Sequence, residues 1–424
     1  MGQTIAEKIL SRVVGRRVKV GEIIFPAPDL VTVHDWYIRE CARALADFGV
    51  EKIRDPQKLL VCTDHEPVAT SERASERQKT VRDIVGQFGI KLFFDVGRGG
   101  HGHMFPMEMG IVRPGMFVLG YDTHVTNYGA VGCLGIALVT EITEVLACGS
   151  AWIRVPPTVR VNVSGRLKRG VSMRDVAQRM ISDISPEVAD YAVLEFGGEG
   201  SSGLSFGERV TLCNTPVEIG AKSAVVECDV KDLAAMGLPS RTDDVDMKGD
   251  GDGEYSKILG IDLGSHEPQV AVPPRPDLVV NVSEVAGTRI DHAFVGSCAN
   301  CSIDDLRAAA SILRGRRLHS RVRMFVTPGT QKIAAQAATE GLIATFVEAG
   351  AILTAPGCGP CAAGYVGNLG PGETSINTGT RNDPGRLGAR NASIYLASPL
   401  TVAASAVKGA ITDAREFLSQ DLEP

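Results

Sequence analysis

The sequence of 424 residues lacks the features that would assign it to several special classes of protein. No apolar run approaches the roughly 20 residues that a membrane-spanning helix needs, and the N-terminus lacks the pattern of a secretory signal peptide. Lysine and arginine form no basic stripe, and the formal net charge is −6, so a nucleic-acid partner is not expected. These absences predict a cytoplasmic protein that binds neither a membrane nor nucleic acid.

Glycine and aliphatic residues are abundant, with 47 glycines and only 5% aromatic residues, which favours an α/β protein rich in tight strand–helix turns. The length predicts two or three domains. Apolar spacing predicts an opening helix at 3–15, and short apolar runs predict buried strands at 59–62, 91–94 and 116–119. A stretch of small and aliphatic residues at 129–146 predicts a buried helix, and the proline-containing segment 270–278 predicts a linker.

Cysteine is the most informative residue type, because ten cysteines without a secretory signal favour reduced thiols over disulfides. Cys298, followed after a long gap by Cys358 and Cys361, could give an iron–sulfur cluster three protein ligands and leave one iron open as a Lewis acid. Because Cys301 completes a second Cys-x-x-Cys pair, a four-thiolate zinc site, a closed cluster and unliganded core cysteines stay open alternatives. The other cysteines are interpreted as small buried residues: Cys41, Cys62, Cys133, Cys148, Cys213 and Cys228.

Histidines follow three of the apolar runs at the point where α/β sheets commonly place ligands. A carboxylate beside an imidazole raises its basicity and fixes its tautomer, as proton transfer near neutral pH requires. A purely structural role is the alternative for any one of these histidines. The three groups are Asp64-His65, then His101 and His103, then Asp122-Thr123-His124.

Two further pairs of polar residues suggest binding functions. Asn214 and Glu218 would lie one turn apart on the same face of a predicted helix, where a solvated face is the alternative. Arg381 and Arg386 lie five residues apart in a loop rich in glycine, proline and asparagine, and each guanidinium could bind a carboxylate at two points. An exposed loop with two solvated arginines is the alternative.

At these residues the chain resembles the aconitase superfamily, and in particular its separate large subunits. The resemblance extends over almost the whole chain and does not depend on a single motif. The segments that carry it are GQTIAEKIL at 2–10, LSF at 204–206 with the following residues through Asn214 and Glu218, EPQVA at 267–271, DDLR at 304–307 and Ser398-Pro399.

The resemblance implies an α/β fold of three aconitase-like domains around an iron–sulfur cluster, without the swivel domain. The implied domains are residues 1–155, 156–275 and 276–424. The implied cofactor is a [4Fe–4S] cluster with one iron lacking a protein ligand, held by Cys298, Cys358 and Cys361.

The resemblance also implies site residues. Asp64 would partner His65, Asp122 would partner His103, and Glu218 would partner His124, whereas His101 has no counterpart in the family pattern. His103 would protonate the departing hydroxyl. The residues implied to bind substrate are Thr123, Asn214, Arg381 and Arg386.

The implied reaction is dehydration and rehydration of a hydroxy-dicarboxylic acid by a hydro-lyase. The implied substrate is 3-isopropylmalate, an intermediate of leucine biosynthesis, with homoaconitate, 2,3-dimethylmalate and methyl-substituted maleate as alternatives. A small subunit would supply the swivel domain with the serine base.

The sequence departs from the family pattern at residues that would surround the substrate: Thr123, Ala299, Cys301, Thr380 and Asp383-Pro384. A non-catalytic four-cysteine metal-binding protein is the alternative of another class.

Overall fold

The structure of the protein is a computed structural model that describes residues 2–361 and 366–418. The chain divides into two compact units. Within the described residues, the first unit contains the chain up to Ser164 together with Ser185–Ile261, and the second contains Gly165–Ile184 together with the chain from Asp262 onward. The division into three domains at residues 155 and 275 stays a prediction.

The strands are β1 Ile23–Ile24, β2 Leu30–His34, β3 Leu59–Cys62, β4 Leu92–Phe94, β5 Phe117–Gly120, β6 Leu134–Ala137, β7 Ile153–Arg154, β8 Thr158–Ser164, β9 Val193–Gly197, β10 Ser223–Val226, β11 Lys257–Asp262, β12 Gln269–Ala271, β13 Val279–Asn281, β14 His292–Val295, β15 Arg323–Val326, β16 Ile352–Leu353, β17 Thr374–Asn377 and β18 Ser393–Ala397.

The α-helices are α1 Ile5–Val14, α2 Asp35–Asp47, α3 Glu72–Phe88, α4 Phe105–Glu108, α5 Ile142–Cys148, α6 Met173–Asp183, α7 Pro186–Ala189, α8 Phe206–Asn214, α9 Val230–Ala235, α10 Val282–Val285, α11 Ile303–Leu313, α12 Gln331–Thr339, α13 Leu342–Ala349 and α14 Pro399–Lys408. Short 3-10 helices are Pro56–Lys58, Thr123–Val131, Thr215–Ile219, Leu263–Ser265 and Ala414–Phe417. Among the described residues, every helix is too short or too polar to cross a bilayer.

The first unit is built on a parallel sheet with the strand order β4-β3-β2-β5-β6. Every residue of β2, β3 and β5 is buried, as expected for strands covered on both faces. The strands predicted at 59–62, 91–94 and 116–119 are confirmed as β3, β4 and β5. Since the strands are parallel, the residues that follow them lie at one edge of the sheet. The same unit contains the sheet β10-β9-β8-β11 and the ribbon β1-β7.

The predicted opening helix is confirmed as α1, and local capping explains where it begins and ends. The side chain of Thr4 accepts from the backbone of Glu7, and the Glu7 carboxylate accepts from the backbone of Thr4. Gly15 ends the helix with a left-handed φ of 72°.

The second unit contains the sheet β13-β12-β18-β17-β14-β15-β16. The pairs between β14, β15, β16, β17 and β18 are parallel, whereas β12 pairs antiparallel with β13 and β18. The prediction of a linker at 270–278 is wrong at its start, because Val270 and Ala271 are fully buried in β12 between two partner strands. The prolines that suggested a linker lie in the turn between β12 and β13.

The prediction of one buried helix at 129–146 is also wrong. This segment contains the end of a 3-10 helix, strand β6 and helix α5. The small residues serve close backbone packing, since a Cβ on Gly129 would lie 1.9 Å from the carbonyl oxygen of Ala224, and one on Gly135 would lie 2.2 Å from that of Val125. The small residues in this run therefore allow backbone segments to pack closely, and the run does not form one continuous helix.

The sequence predicts that the six cysteines away from the two Cys-x-x-Cys pairs are buried. Cys41, Cys62, Cys133, Cys213 and Cys228 are buried, but Cys148 is exposed. Cys148 is the last residue of α5, where the helix has turned it away from the core.

Replacement of Gly129 by alanine is expected to lower the free energy of unfolding by about 1–3 kcal/mol, because the new methyl group overlaps the backbone of β10. Gly86 in α3 is the matched control, since a Cβ there meets no atom within 4 Å and the helix favours alanine by about 0.5–1 kcal/mol. Thermal unfolding followed by circular dichroism measures both variants. Equal melting temperatures for Gly129→Ala and Gly86→Ala would contradict the packing argument.

Candidate active site

Asp64 is the centre of a buried hydrogen-bond network in the first unit. The residue follows β3 and is fully buried. Its two carboxylate oxygens lie 2.8 and 2.9 Å from Nδ1 of His34, and Oδ1 lies 2.9 Å from Nδ1 of His65. The backbone N–H of Gly102 donates to Oδ2 over 2.8 Å. One carboxylate thus contacts two imidazole rings and one peptide group, and the predicted Asp64–His65 contact is present.

The negative charge of Asp64 controls the electrostatics of this network. Burial opposes ionisation of Asp64, but the adjacent His34 and His65 lower its pKa well below 3.8. Burial also opposes the charge on His65, yet Asp64 and Asp35 raise the pKa of His65 well above 6.5. At neutral pH, Asp64 and His65 therefore form a buried ion pair.

His103 joins the network through a contact between two rings. Its Nε2 lies 3.0 Å from Nε2 of His34, and both residues are buried. Its Nδ1 lies 3.9 Å from Oδ1 of Asp122, which is too long for a hydrogen bond but close enough for an ionic interaction. Burial and the nearby His34 hold the pKa of His103 well below 6.5. His103 is therefore neutral at neutral pH, and its contact with Asp122 is looser than the Asp64–His65 contact.

His124 bridges Asp122 and Glu218. Asp122 caps the 3-10 helix Thr123–Val131 by accepting from the backbone N–H of His124 over 2.9 Å. Nε2 of His124 lies 2.8 Å from Oε1 of Glu218, so the predicted His124–Glu218 contact is present. The Thr123 hydroxyl lies 3.4 Å from Nδ1 of His124. Burial opposes ionisation of Asp122, but His124 and His103 hold the pKa of Asp122 well below 3.8.

Asn214 and Glu218 do not share one α-helix. Helix α8 ends at Asn214, and Glu218 lies in the 3-10 helix Thr215–Ile219. The prediction that these two residues lie one α-helical turn apart is therefore wrong, because Pro216 lacks the N–H that would continue the α-helix. The Asn214 amide instead donates to Oδ1 of Asn127 over 2.9 Å.

His101 and Gly102 support His103. Nδ1 of His101 accepts from the backbone N–H of His103 over 3.2 Å, and burial lowers the pKa of His101 to about 4. A Cβ on Gly102 would lie 2.5 Å from Sγ of Cys62 and 2.7 Å from Cε1 of His34. The absence of a side chain at Gly102 therefore lets its N–H reach Asp64.

The sequence analysis missed His34, which contacts both Asp64 and His103. The signal was present, since His34-Asp35 ends an apolar run in the same way that Asp64-His65 follows one. His34 and Cys62 are paired in the register of β2 and β3, which brings His34 beside Asp64.

Two groups of three residues in this network have potential metal-ligand atoms close together. His34, Cys62 and Asp64 offer donor atoms within 4.8 Å of one another, and so do Asp35, Asp64 and His65. Burial raises the pKa of Cys62 well above 9.0, so this residue is a thiol and a poor metal ligand. Asp64 already accepts from three donors. We therefore interpret these residues as a hydrogen-bond network.

The predicted cluster cysteines lie in the second unit, in loops that follow parallel strands. Cys298 follows β14, and Cys358 and Cys361 follow β16. All three cysteines are buried, with exposed fractions of 2%, 8% and 5%. Since β14, β15 and β16 are parallel neighbours, these loops leave the sheet at the same edge. Buried thiols on loops from one sheet edge are a donor set that fits an iron–sulfur cluster.

Short contacts hold these loops together. The Thr378 hydroxyl, after β17, accepts from the N–H of Gly296 over 2.9 Å and donates to the Gly296 carbonyl over 2.8 Å. Ser297 has a left-handed φ of 68° and donates its hydroxyl to the Thr378 carbonyl over 2.9 Å. A Cβ on Gly359 would lie 2.3 Å from the Thr327 hydroxyl, after β15. The backbone on both sides of the cysteines is therefore tightly constrained.

The predicted arginines lie in the loop that follows β17, and both are half-buried. Nε of Arg386 donates to the carbonyl of Cys361 over 2.9 Å, and Nη2 lies 3.7 Å from Sγ of the same cysteine. The structure thus places Arg386 directly beside one predicted cluster ligand.

Cys301 is packed differently from the three predicted ligands. A Cβ on Gly329 would lie 2.5 Å from Sγ of Cys301, and the Gly329 N–H donates to the Cys301 carbonyl over 2.9 Å. The Cys301 sulfur therefore lies against the backbone of the loop that follows β15.

Sequence comparison gives the class of protein that these features define. The profile of the Aconitase family (aconitate hydratase) matches residues 7–409. The chain belongs to the aconitase family, which implies an iron–sulfur cluster.

Particular relatives match over essentially their whole length. The chain is 40% identical to the 3-isopropylmalate dehydratase large subunit 1 of Methanopyrus kandleri, over 99% of this chain and 100% of that protein. It is 40% identical to the homoaconitase large subunit of Thermus thermophilus, over 100% of both chains. It is 38% identical to the 3-isopropylmalate dehydratase large subunit 1 of Archaeoglobus fulgidus, over 98% of this chain and 100% of that protein.

Replacement of Asp64 by asparagine is expected to lower the free energy of unfolding by about 3–5 kcal/mol near pH 5.5, because it removes the closer of the two buried carboxylates beside His65, at 2.9 Å, and leaves only Asp35 at 3.4 Å. The pKa of Asp64 is lowered in the folded state, so its stabilisation is present above pH 3.8 and is lost as the pH falls through the folded pKa. The pKa of His65 is raised, so its stabilisation is present below pH 6.5 and is lost as the pH rises through the folded pKa.

The difference between the wild-type protein and Asp64→Asn should therefore be largest between pH 3.8 and 6.5 and should shrink in alkaline buffer. Urea unfolding at pH 5.5 and at pH 9 measures it. Asp83→Asn is the control, since Asp83 lies in an exposed pair with Lys79 and should change stability little. A stability difference that does not vary with pH would contradict the ionic interpretation.

Proposed function

We propose that this chain is the large subunit of a [4Fe–4S]-dependent hydro-lyase that converts 3-isopropylmalate by dehydration and rehydration, as in leucine biosynthesis. The observation that carries the proposal is the full-length match to large subunits of 3-isopropylmalate dehydratase. Homoaconitate is the second candidate substrate, because a homoaconitase large subunit matches at the same 40% identity over the full chain. A cytoplasmic location stays a prediction.

In this proposal Cys298, Cys358 and Cys361 hold the cluster. When bound, a cluster with one iron lacking a protein ligand supplies a Lewis acid for the substrate hydroxyl and carboxylate. The burial of the three thiols supports this assignment. The packing of Cys301 supports it too, because the Cys301 sulfur lies against the backbone at Gly329.

The arginines are proposed to bind substrate carboxylates. Arg386 donates from Nε to the Cys361 carbonyl, which fixes the plane of its guanidinium beside a cluster ligand. Arg381 lies five residues earlier in the same loop. A planar guanidinium can bind a carboxylate at two points, which a lysine cannot do. Thr123 and Asn214 are proposed to contact the substrate through a hydroxyl and an amide.

The histidine–carboxylate pairs are proposed to control proton transfer. The neutral ring of His103 takes up a proton and passes it to the departing hydroxyl, with Asp122 facing its Nδ1. The Asp64–His65 and His124–Glu218 pairs fix the charges and ring orientations around it. The base that removes the carbon-bound proton is a serine in the swivel domain of a small subunit. The large-subunit relatives support a small-subunit partner.

The cluster-loaded chain alone is expected to show little or no dehydration of 3-isopropylmalate, and addition of its small subunit should restore turnover. The formation of the unsaturated acid is followed by ultraviolet absorbance, with homoaconitate and 2,3-dimethylmalate compared in the same assay. Turnover by the isolated chain would contradict the assignment of the base to the partner. A loaded complex that dehydrates none of these acids would contradict the proposed function.

Replacement of Cys358 by serine is expected to abolish cluster incorporation, because one of three ligands is lost. Replacement of Cys301 by serine is the matched control and should leave iron content largely unchanged. Anaerobic reconstitution followed by iron and sulfide analysis measures both variants. Loss of the cluster in both variants would show that Cys301 is a fourth ligand, and stoichiometric zinc without iron would contradict the cluster itself.

A further inference from the structure

Trp36 packs against the ring of His65. It is the second residue of α2, is half-buried, and is one of only two tryptophans in the chain. The ring centroids of Trp36 and His65 lie 4.6 Å apart, and the two ring planes are tilted by 39°. His65 is 7% exposed, so the indole is one of the groups that enclose the imidazole. The family pattern described above gives no role to Trp36.

The residue before Trp36 fixes the backbone of His65. The carboxylate of Asp35 accepts from the backbone N–H of His65 over 3.2 Å and from that of Glu66 over 3.0 Å. Asp35 is buried and is the first residue of α2. The start of α2 therefore holds the backbone of His65 with one residue and contacts its ring with the next.

Two further rings contribute to the enclosure of His65. Tyr37 meets the imidazole edge-on with 5.7 Å between the ring centroids, and His34 does so at 5.0 Å. Tyr37 is stacked on Tyr121 at 4.4 Å with an interplanar angle of 15°, and the Tyr121 hydroxyl donates to Glu40 over 2.9 Å. The aromatic packing around His65 is therefore held by α2 and by the residue that follows β5.

Two carboxylates contact the same nitrogen of His65. Nδ1 lies 2.9 Å from Oδ1 of Asp64 and 3.4 Å from Oδ1 of Asp35. The next acidic residue, Glu66, pairs with Nε of Arg77 over 2.6 Å. Burial opposes a charge on the ring, but Asp64 and Asp35 raise the pKa of His65 well above 6.5. The enclosed ring is therefore an imidazolium at neutral pH.

The contact with Trp36 suits a positively charged ring. The π electrons of an aromatic side chain attract a cation that lies within about 6 Å of the ring centroid, and indole attracts it most strongly. The 4.6 Å between the centroids of Trp36 and His65 meets this condition. Because burial removes water that would otherwise solvate the cation, the attraction of the indole is stronger here than on an exposed surface.

We propose that Trp36 is a positioning residue whose indole stabilises the imidazolium of His65 through a cation–π contact and holds that ring against Asp64. The contact itself is a property of the folded first unit. Only its catalytic consequence rests on the proposed function, in which the Asp64–His65 pair fixes the charge near His103.

Two variants of similar side-chain size separate this attraction from simple packing. Trp36→Phe keeps an aromatic ring, whereas Trp36→Leu keeps an apolar side chain without one. Nitrogen-15 NMR of the full chain labelled at histidine follows the protonation of His65 as the pH is varied, with its signals assigned by His65→Gln. Trp36→Leu should lower the proton affinity of His65 by about twofold to tenfold relative to Trp36→Phe, as cation–π energies predict.

The other tryptophan gives the matched control. Trp152 is 50% exposed and lies just before β7, so Trp152→Phe should leave the proton affinity of His65 unchanged. Trp36→Met is a second variant without an aromatic ring and should behave like Trp36→Leu. Equal proton affinities of His65 in Trp36→Phe and in the two non-aromatic variants would overturn the proposal, since packing alone would then explain the contact.

The pH dependence of turnover by the cluster-loaded complex gives the second test. The proposed function uses the charge of His65, so kcat should fall as the pH rises and His65 loses its proton. This fall should begin at a lower pH in Trp36→Leu than in Trp36→Phe. Identical pH profiles for the two variants would overturn the positioning role. If no hydroxy-dicarboxylate is turned over but the proton affinities differ as expected, the proposed function fails and the cation–π contact stands.

Discussion

The buried carboxylate of Asp64 is the constraint on which the histidine network of the first unit depends. An ionised carboxylate without partners would be strongly unfavourable in the protein interior. Asp64 is stabilised there by His34, His65 and the backbone of Gly102. These three partners come from the end of β2, from the residue after Asp64 and from the loop before α4. One charge therefore fixes the relative positions of three chain segments and raises the pKa of His65.

Parallel strands place polar side chains at a common edge in each of the two units. In the first unit, the register of β2 with β3 brings His34 beside Cys62 and hence close to Asp64. In the second unit, β14, β15, β16 and β17 are joined by parallel pairs, and their loops carry Cys298, Thr327, Cys358 and Thr378. Small residues complete both arrangements, because Gly102 and Gly359 occupy positions where a Cβ would overlap a neighbouring side chain. The backbone can therefore approach the functional side chains closely.

Much of the local structure was predictable because its causes are local. Helix α1 has its own capping box, and β3 is a short apolar run followed by a polar turn. The contacts of His65 with Asp64 and of His124 with Glu218 agree with what the family resemblance implied. The errors arose where a distant segment decides the conformation. The run at 129–146 consists of small and aliphatic residues. The backbone of Ala224 packs closely against Gly129, and that of Val125 packs closely against Gly135, so neither glycine has room for a side chain. The segment after Pro268 contains prolines, but its first residues are buried as a strand between β13 and β18.

By itself, the sequence determined the family, the three cysteines proposed to hold a cluster, and the histidines and carboxylates proposed to handle protons. These conclusions depend on residue type and spacing, which are one-dimensional properties of the chain. Only the tertiary structure decided that His34 joins Asp64 to His103, that Asp122 lies 3.9 Å from His103, and that Arg386 contacts Cys361. Hydrogen bonds and pKa values depend on distances of a few ångströms between residues far apart in the chain, and only packing sets those distances.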